Sequence, residues 1–215
     1  MDADRVHHAI EELRTAGSVV DGNGVRRSIF PVALHPAKAT FLQGWVLREK
    51  PVDTIEIGLA YAYSTLHVCE ALLINGNPTA RSVAIDPNQL TGYASAGLRV
   101  LDHAGVADLV EFHPEESQQA LPGFIKDGRC FDLAFVDGNH RFDYVFVDLF
   151  FLRRLLRKGG VVILDDYDLP GIRKAISFFV SNCGWTVEET MDGNVAVLRT
   201  ANSADGRDFR FFTDF

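Results

Sequence analysis

Four short apolar runs in this sequence carry acids at or near their ends. They are Ile-Glu-Ile-Gly at 55–58, Ala-Ile-Asp-Pro at 84–87, Phe-Val-Asp-Gly-Asn-His at 135–140 and Val-Ile-Leu-Asp-Asp-Tyr at 162–167. Each run has the length and composition of a buried strand, so each acid stands where a strand stops. In doubly wound parallel sheets ligands bind beyond those carboxyl ends. Asp137, Asp165 and Asp166, brought together on neighbouring strand tips, would repel one another. A hard divalent cation between them removes the conflict, and all-oxygen ligation suits Mg²⁺, with Mn²⁺ or Ca²⁺ as substitutes, and not zinc. His140 follows Asp137 by three residues and is placed to serve that site as a proton acceptor. The plainer reading of these acids is that they cap the helices that follow.

The first two runs suit an anionic, ribose-bearing ligand. Gly58 lets backbone approach a ligand, and the turn after it leads into a helix whose N-terminal amides favour a carboxylate. Ala60 and Ala62 stand where a dinucleotide fingerprint needs glycine, so this is not a G-x-G-x-x-G loop. Asp86 can accept both hydroxyl protons of a ribose; otherwise it is the acid of a turn-initiating Asp-Pro. His35 and His113 fall in loops and are weaker candidates. His7, His8, His67 and His103 fall on expected helices.

These residues need a scaffold of alternating strands and helices. Helical spacing of Val6, Ala9, Ile10 and Leu13 predicts a helix over 4–16, stopped near Gly17, followed by a Gly-rich turn and a second helix over 37–49. Beyond Pro51 the periods alternate. Strands are predicted at 52–58, 81–86, 109–113, 132–137 and 161–166. Helices are predicted at 64–74 with Ser64 as N-cap, 88–105, 142–159 and 170–182. Segments 185–189 and 194–200, joined by Met-Asp-Gly-Asn, predict a closing hairpin. Uniformly apolar strands such as Leu-Ala-Phe-Val imply helices on both faces of a parallel sheet.

Composition narrows the partners. The 215 residues carry 21 basic and 29 acidic side chains, a net charge of −8, which argues against nucleic acid and anionic membranes and favours a small molecule. Cys69, Cys130 and Cys183 are odd in number and lack C-x-x-C spacing, so neither a disulfide framework nor a thiolate zinc site is indicated. A charged N-terminus and interrupted apolar stretches predict a cytoplasmic chain with no membrane span. The expected organisation is one domain over 1–215, with a helical cap at 1–50, a core at 51–200 and a tail at 201–215. Phe209, Phe211, Phe212 and Phe215 crowd that tail and are expected to dock on the body or on a second subunit, so a homodimer is one expectation.

The runs at 56–65, 104–110, 116–122, 135–140 and 155–171 together resemble class I S-adenosylmethionine-dependent O-methyltransferases of the metal-dependent catechol type, and bacterial sugar and natural-product O-methyltransferases. The resemblance implies a Rossmann-like α/β fold with a seven-stranded, mostly parallel sheet and a C-terminal antiparallel hairpin. It implies that Glu56, Gly58 and Ser64 line the methionine end of the cofactor, that Asp86 holds its ribose, and that Ser117 and Gln118 flank its adenine. Asp137 would border the cofactor and, with Asp165 and Asp166, bind the metal. His140 would be the base, where the catechol enzymes have lysine, and Phe30 and Pro170 would wall the acceptor pocket. Ala62 replaces that family's second loop glycine, and Asn139 replaces the aromatic that shields a catechol ring. The implied reaction is methyl transfer to a small hydroxylated acceptor. A nicotinamide-dependent oxidoreductase and a noncatalytic binding protein are the alternatives.

Overall fold

The structure is a computed structural model that describes residues 1–202, 206–208 and 210–215. The chain forms two compact units, Met1–Glu116 and Ser117–Phe215. Its larger sheet has seven strands in the order β5-β4-β3-β6-β7-β9-β8, and a separate two-stranded sheet pairs β1 with β2.

In the first unit, helix α1 (Ala3–Ala16) is capped by Asp2, whose side chain accepts from Asp4 N, and is stopped by Gly17 in the left-handed conformation. Its buried stripe is Val6, Ala9, Ile10 and Leu13, as the spacing predicts. The Gly-rich turn belongs to a small hairpin, β1 (Ser18–Val20) with β2 (Arg26–Ser28). Asp21 organises it by accepting from Asn23 N and Val25 N, both at 2.9 Å, and by pairing with Arg27. Helix α2 (Pro36–Glu49) precedes β3 (Asp53–Ile57), α3 (Tyr63–Asn75), β4 (Arg81–Ile85), α4 (Ala96–Ala104) and β5 (Val110–His113). Strands β3, β4 and β5 run parallel in register Ile57↔Ile85↔His113, so their carboxyl ends are level.

Two expectations change here. The helix expected over 88–105 begins only at Ala96. Residues 88–95 are tied into turns by bonds such as Tyr93 N to Asn88 O, and Ala94 and Ser95 have φ of 44° and 59°, a region helical backbone does not use. Ser64 does not cap α3. The cap position falls on Ala62, also left-handed at φ 61°, and Ser64 lies inside the helix with its hydroxyl turned to Glu56.

The second unit contains α5 (Ser117–Lys126), β6 (Phe131–Val136), α6 (Phe142–Leu155), β7 (Leu156–Leu164), α7 (Pro170–Cys183), β8 (Thr186–Met191) and β9 (Val195–Arg199). The sequence reading missed α5, whose Pro122 lies inside the helix. It also ran α6 to residue 159, whereas residues 156–160 belong to β7. An irregularity in the β6/β7 register, Phe131↔Leu156 then Leu133↔Val161, absorbs them. Strand β7 is parallel to β6, and β9 is antiparallel to both β7 and β8, which gives the expected closing hairpin. Val161–Leu164 and Val195–Leu198 are wholly buried, as strands covered on both faces are. Phe215 docks on α7, its ring 5.1 Å from Phe178 and under Lys174 Nζ at 4.6 Å, whereas Phe211 and Phe212 are exposed. Phe209 lies outside the described residues. Among the described residues no helix is long and apolar enough to cross a membrane.

Candidate functional site

At the end of β3 the chain must turn sharply, and Gly58 does so at φ 104°, open only to glycine. Its amide donates to Ile85 O at 2.9 Å, which fixes the turn to the neighbouring strand end. Glu56, 2% exposed, accepts from Ser64 Oγ and from Thr65 Oγ1 at 2.6 Å. This buried acid therefore ties the strand to the first turn of α3. At the end of β4, Asp86 accepts from Ala60 N and from Asn88 N, both at 2.7 Å. Two backbone amides orient the carboxylate and leave it lone pairs for hydroxyl donors. Gln89, fully buried, donates from Nε2 to Ala60 O, and its Oε1 has no partner. Sequence reading passed over Thr65 and Gln89. The signal for Gln89 was its place three residues after the strand-terminal acid, in a segment that mimicked helix. Phe30 is half-buried and meets the Tyr63 ring edge-on at 5.9 Å.

In the second unit, Asp137 ends β6, His140 follows on the loop to α6, and Asp166 follows β7 at φ 53°. His140 bridges the two acids, Nδ1 to Asp166 Oδ2 at 2.9 Å and Nε2 to Asp137 Oδ1 at 3.3 Å. Single ligand atoms of Asp137, His140 and Asp166 all lie within 4.8 Å of one another. Asp165 is outside that group. Its amide donates to Val136 O and its side chain is buried, while Asp166, past the end of β7 and turned at φ 53°, meets the histidine. The set gathered here is thus two carboxylates and an imidazole, with Asp165 near enough for its charge to act on Asp137.

Burial pushes the Asp137 carboxyl up to about 6; His140 opposes that shift by hydrogen bonding, and the charges of Asp165 and Asp166 add to it. The Asp137 hydrogen bond raises the His140 pKa, against partial burial. A buried acid that resists ionisation, with two further carboxylates near it, is a donor set that a hard divalent cation fits, and oxygen-rich ligation suits Mg²⁺. Pro170 is exposed at the first turn of α7, and Gly171 beside it packs near Phe142. Ser117, the first residue of α5, is buried and donates to Asp148 Oδ1 at 2.6 Å. Asp148 was not anticipated, because an acid in the middle of an apolar helical run reads as a solvent-facing position. Gln118 is half-buried beside it.

Residues 55–167 match the family model described as a methyltransferase domain, which is more than half of the chain. The chain belongs to the methyltransferase-domain family. The matched segment contains Glu56, Gly58, Ser64, Asp86, Ser117, Gln118, Asp137, His140, Asp165 and Asp166; Phe30 and Pro170 flank it. No curated protein matches the chain.

Solved structures share the methyltransferase fold over nearly the whole length. The O-methyltransferase TomG from Streptomyces achromogenes, involved in tomaymycin synthesis and solved with SAM, is 20% identical, covering 94% of this chain and 91% of its own at a TM-score of 0.70. An O-methyltransferase from Bacillus cereus, solved with SAH, is 17% identical with the same coverage and TM-score. Cofactor-bound Rv0187 from MTB is 19% identical, covering 93% and 90% at a TM-score of 0.70. At these identities the likeness establishes the Rossmann-like fold.

Proposed function

We propose that this methyltransferase domain moves a methyl group from S-adenosylmethionine to a hydroxyl of a small vicinal diol, catechol-like or natural-product acceptor, with a divalent cation and His140 as base. The observation that carries the reading is the close grouping of Asp137, His140 and Asp166 at strand ends. Relatives in fold were solved with SAM or SAH, which supports the donor.

Gly58 and Asp86 suit such a donor. The glycine turn leaves backbone open to the methionine portion, with Glu56 and Ser64 holding the turn, and Asp86 keeps acceptor capacity for ribose hydroxyls. Ser117 and Gln118 flank the adenine, and Asp137 borders the donor as well as the cation. Phe30 and Pro170 supply acceptor walls.

Methyl transfer from a sulfonium is an in-line displacement for which a neutral hydroxyl is a poor nucleophile. Asp137 and Asp166, with Asp165 beside them, would hold Mg²⁺, which supplies electrostatic stabilisation to an acceptor oxyanion. His140 takes the hydroxyl proton and passes it to solvent, to which its ring is 37% exposed. Asp166 Oδ2 holds Nδ1 at 2.9 Å, which orients the ring, and Nε2, at the longer 3.3 Å from Asp137 Oδ1, is the nitrogen that would take the proton with Asp137 engaged by the cation.

The test is transfer of labelled methyl from S-adenosylmethionine to a panel of vicinal diols headed by 3,4-dihydroxybenzoate, with Mg²⁺ present. Transfer to oxygen is expected. His140→Ala is expected to lose roughly 10²–10⁴ in turnover, the usual worth of a positioned base, with S-adenosylhomocysteine affinity nearly intact. Equal turnover in His140→Ala would remove the base from the account.

A further inference from the structure

Asp148 sits in the middle of α6, 2% exposed, on the helix face that also buries Val145, Leu149 and Leu152. An acid on such a face opposes folding unless its oxygens are used. The structure uses one of them to accept from Ser117 Oγ, itself buried, on the first turn of α5. A second observation shows why that turn needs a tie. Pro122 lies inside α5 and has no N–H to return to the Gln118 carbonyl four residues earlier, and its ring crowds that carbonyl. The turn carrying Ser117 and Gln118 is thus weakly held by the helix's own ladder.

We propose that Asp148 is a positioning residue for cofactor recognition, setting through Ser117 the turn of α5 that flanks the adenine. This rests on the reading of Ser117 and Gln118 given under Proposed function. Asp148 acts as a hydrogen-bond acceptor, a role its carboxyl fills with or without its proton. Burial pushes its carboxyl up to about 7, so near neutrality it is partly protonated and still accepts from the hydroxyl. An asparagine offers the same acceptor oxygen.

The experiment is calorimetric titration of S-adenosylhomocysteine into the full-length protein and into Asp148→Asn, Asp148→Ala, Ser117→Ala and the double variant Asp148→Ala/Ser117→Ala. The expected result is about tenfold weaker binding for each alanine variant, from loss of a buried hydrogen bond. Asp148→Asn should stay within roughly threefold of wild type, and the double variant should be no weaker than the worse single one. Three results would overturn the proposal: wild-type affinity in Asp148→Ala, loss in Asp148→Asn equal to that in Asp148→Ala, or losses that multiply in the double variant. If Asp148→Ala does not fold, the contrast between Asp148→Asn, which should bind, and Ser117→Ala, which should not bind well, decides the matter. Failure of the wild-type protein to bind S-adenosylhomocysteine would instead overturn the donor assignment, and this proposal with it.

Discussion

Asp148 keeps its proton in the folded chain well above the pH at which a free carboxyl gives it up. The ordinary value is 3.8 and burial raises it to about 7, while the Ser117 hydrogen bond works the other way. Between those values the unfolded chain is ionised there and the native chain is not, so native protein binds more protons. Stability from this residue is therefore fully present below about pH 4 and is lost as the pH rises toward 7. Asp148→Asn cannot titrate and removes that loss. Thermal melts at pH 5 and pH 8 should show a smaller fall in Asp148→Asn than in wild type, by an amount on the order of a few kcal/mol. Parallel pH dependence in the two proteins would show that Asp148 is already ionised in the native state. At this scale the sequence displayed the strand-terminal acids and His140, because chemistry-bearing residues at strand ends can be recognised one at a time. It did not display Asp148 or Gln89, whose roles come from what α5 and the loop after β3 bring against them. Nor did it separate Asp165 from Asp166, a choice made by the backbone turn at φ 53°.

The elements that position the first unit's residues depend on close backbone approach. Gly97 in α4 would place a methyl 2.5 Å from Ala60 O and 3.0 Å from Gln89 Oε1. The obstacle at Ala60 is backbone, and Ala60 N is the donor that orients Asp86. Gly97→Ala is expected to destabilise the fold by roughly 1–3 kcal/mol, the usual cost of overpacking, and to weaken S-adenosylhomocysteine binding by displacing this loop. A chemical melt and the same titration check it, and unchanged values in both would mean the contact relaxes freely. The alternation of strand and helix was legible because uniformly apolar strands and amphipathic helices differ in period. The failures fell where local pattern and tertiary context disagree. Residues 88–95 carry a helical pattern but are held in turns by the left-handed Ala94 and Ser95. Helix α5 forms in spite of Pro122, which propensity alone counts against. Residues 156–160 follow a helix without a break in pattern and join β7 through its register irregularity.

For the whole molecule, the family match favours methyl transfer over the nicotinamide-dependent reading. Features that suggested a second subunit are partly used within the chain. Asn182 on α7 clamps the tail by donating to Thr213 O and accepting from Thr213 N, both at 2.8 Å. What gives the molecule its chemistry, on this account, is that its acids are arranged to bind a cation and direct one hydroxyl toward a methyl donor. The most direct measurement is methyl transfer to 3,4-dihydroxybenzoate in Mg²⁺ and after exhaustive treatment with EDTA, for wild type and Asp137→Ala. The account predicts turnover that EDTA abolishes, that added Mg²⁺ restores, and that Asp137→Ala lacks under both conditions. Full turnover by the wild-type protein in EDTA, or by Asp137→Ala, would contradict it.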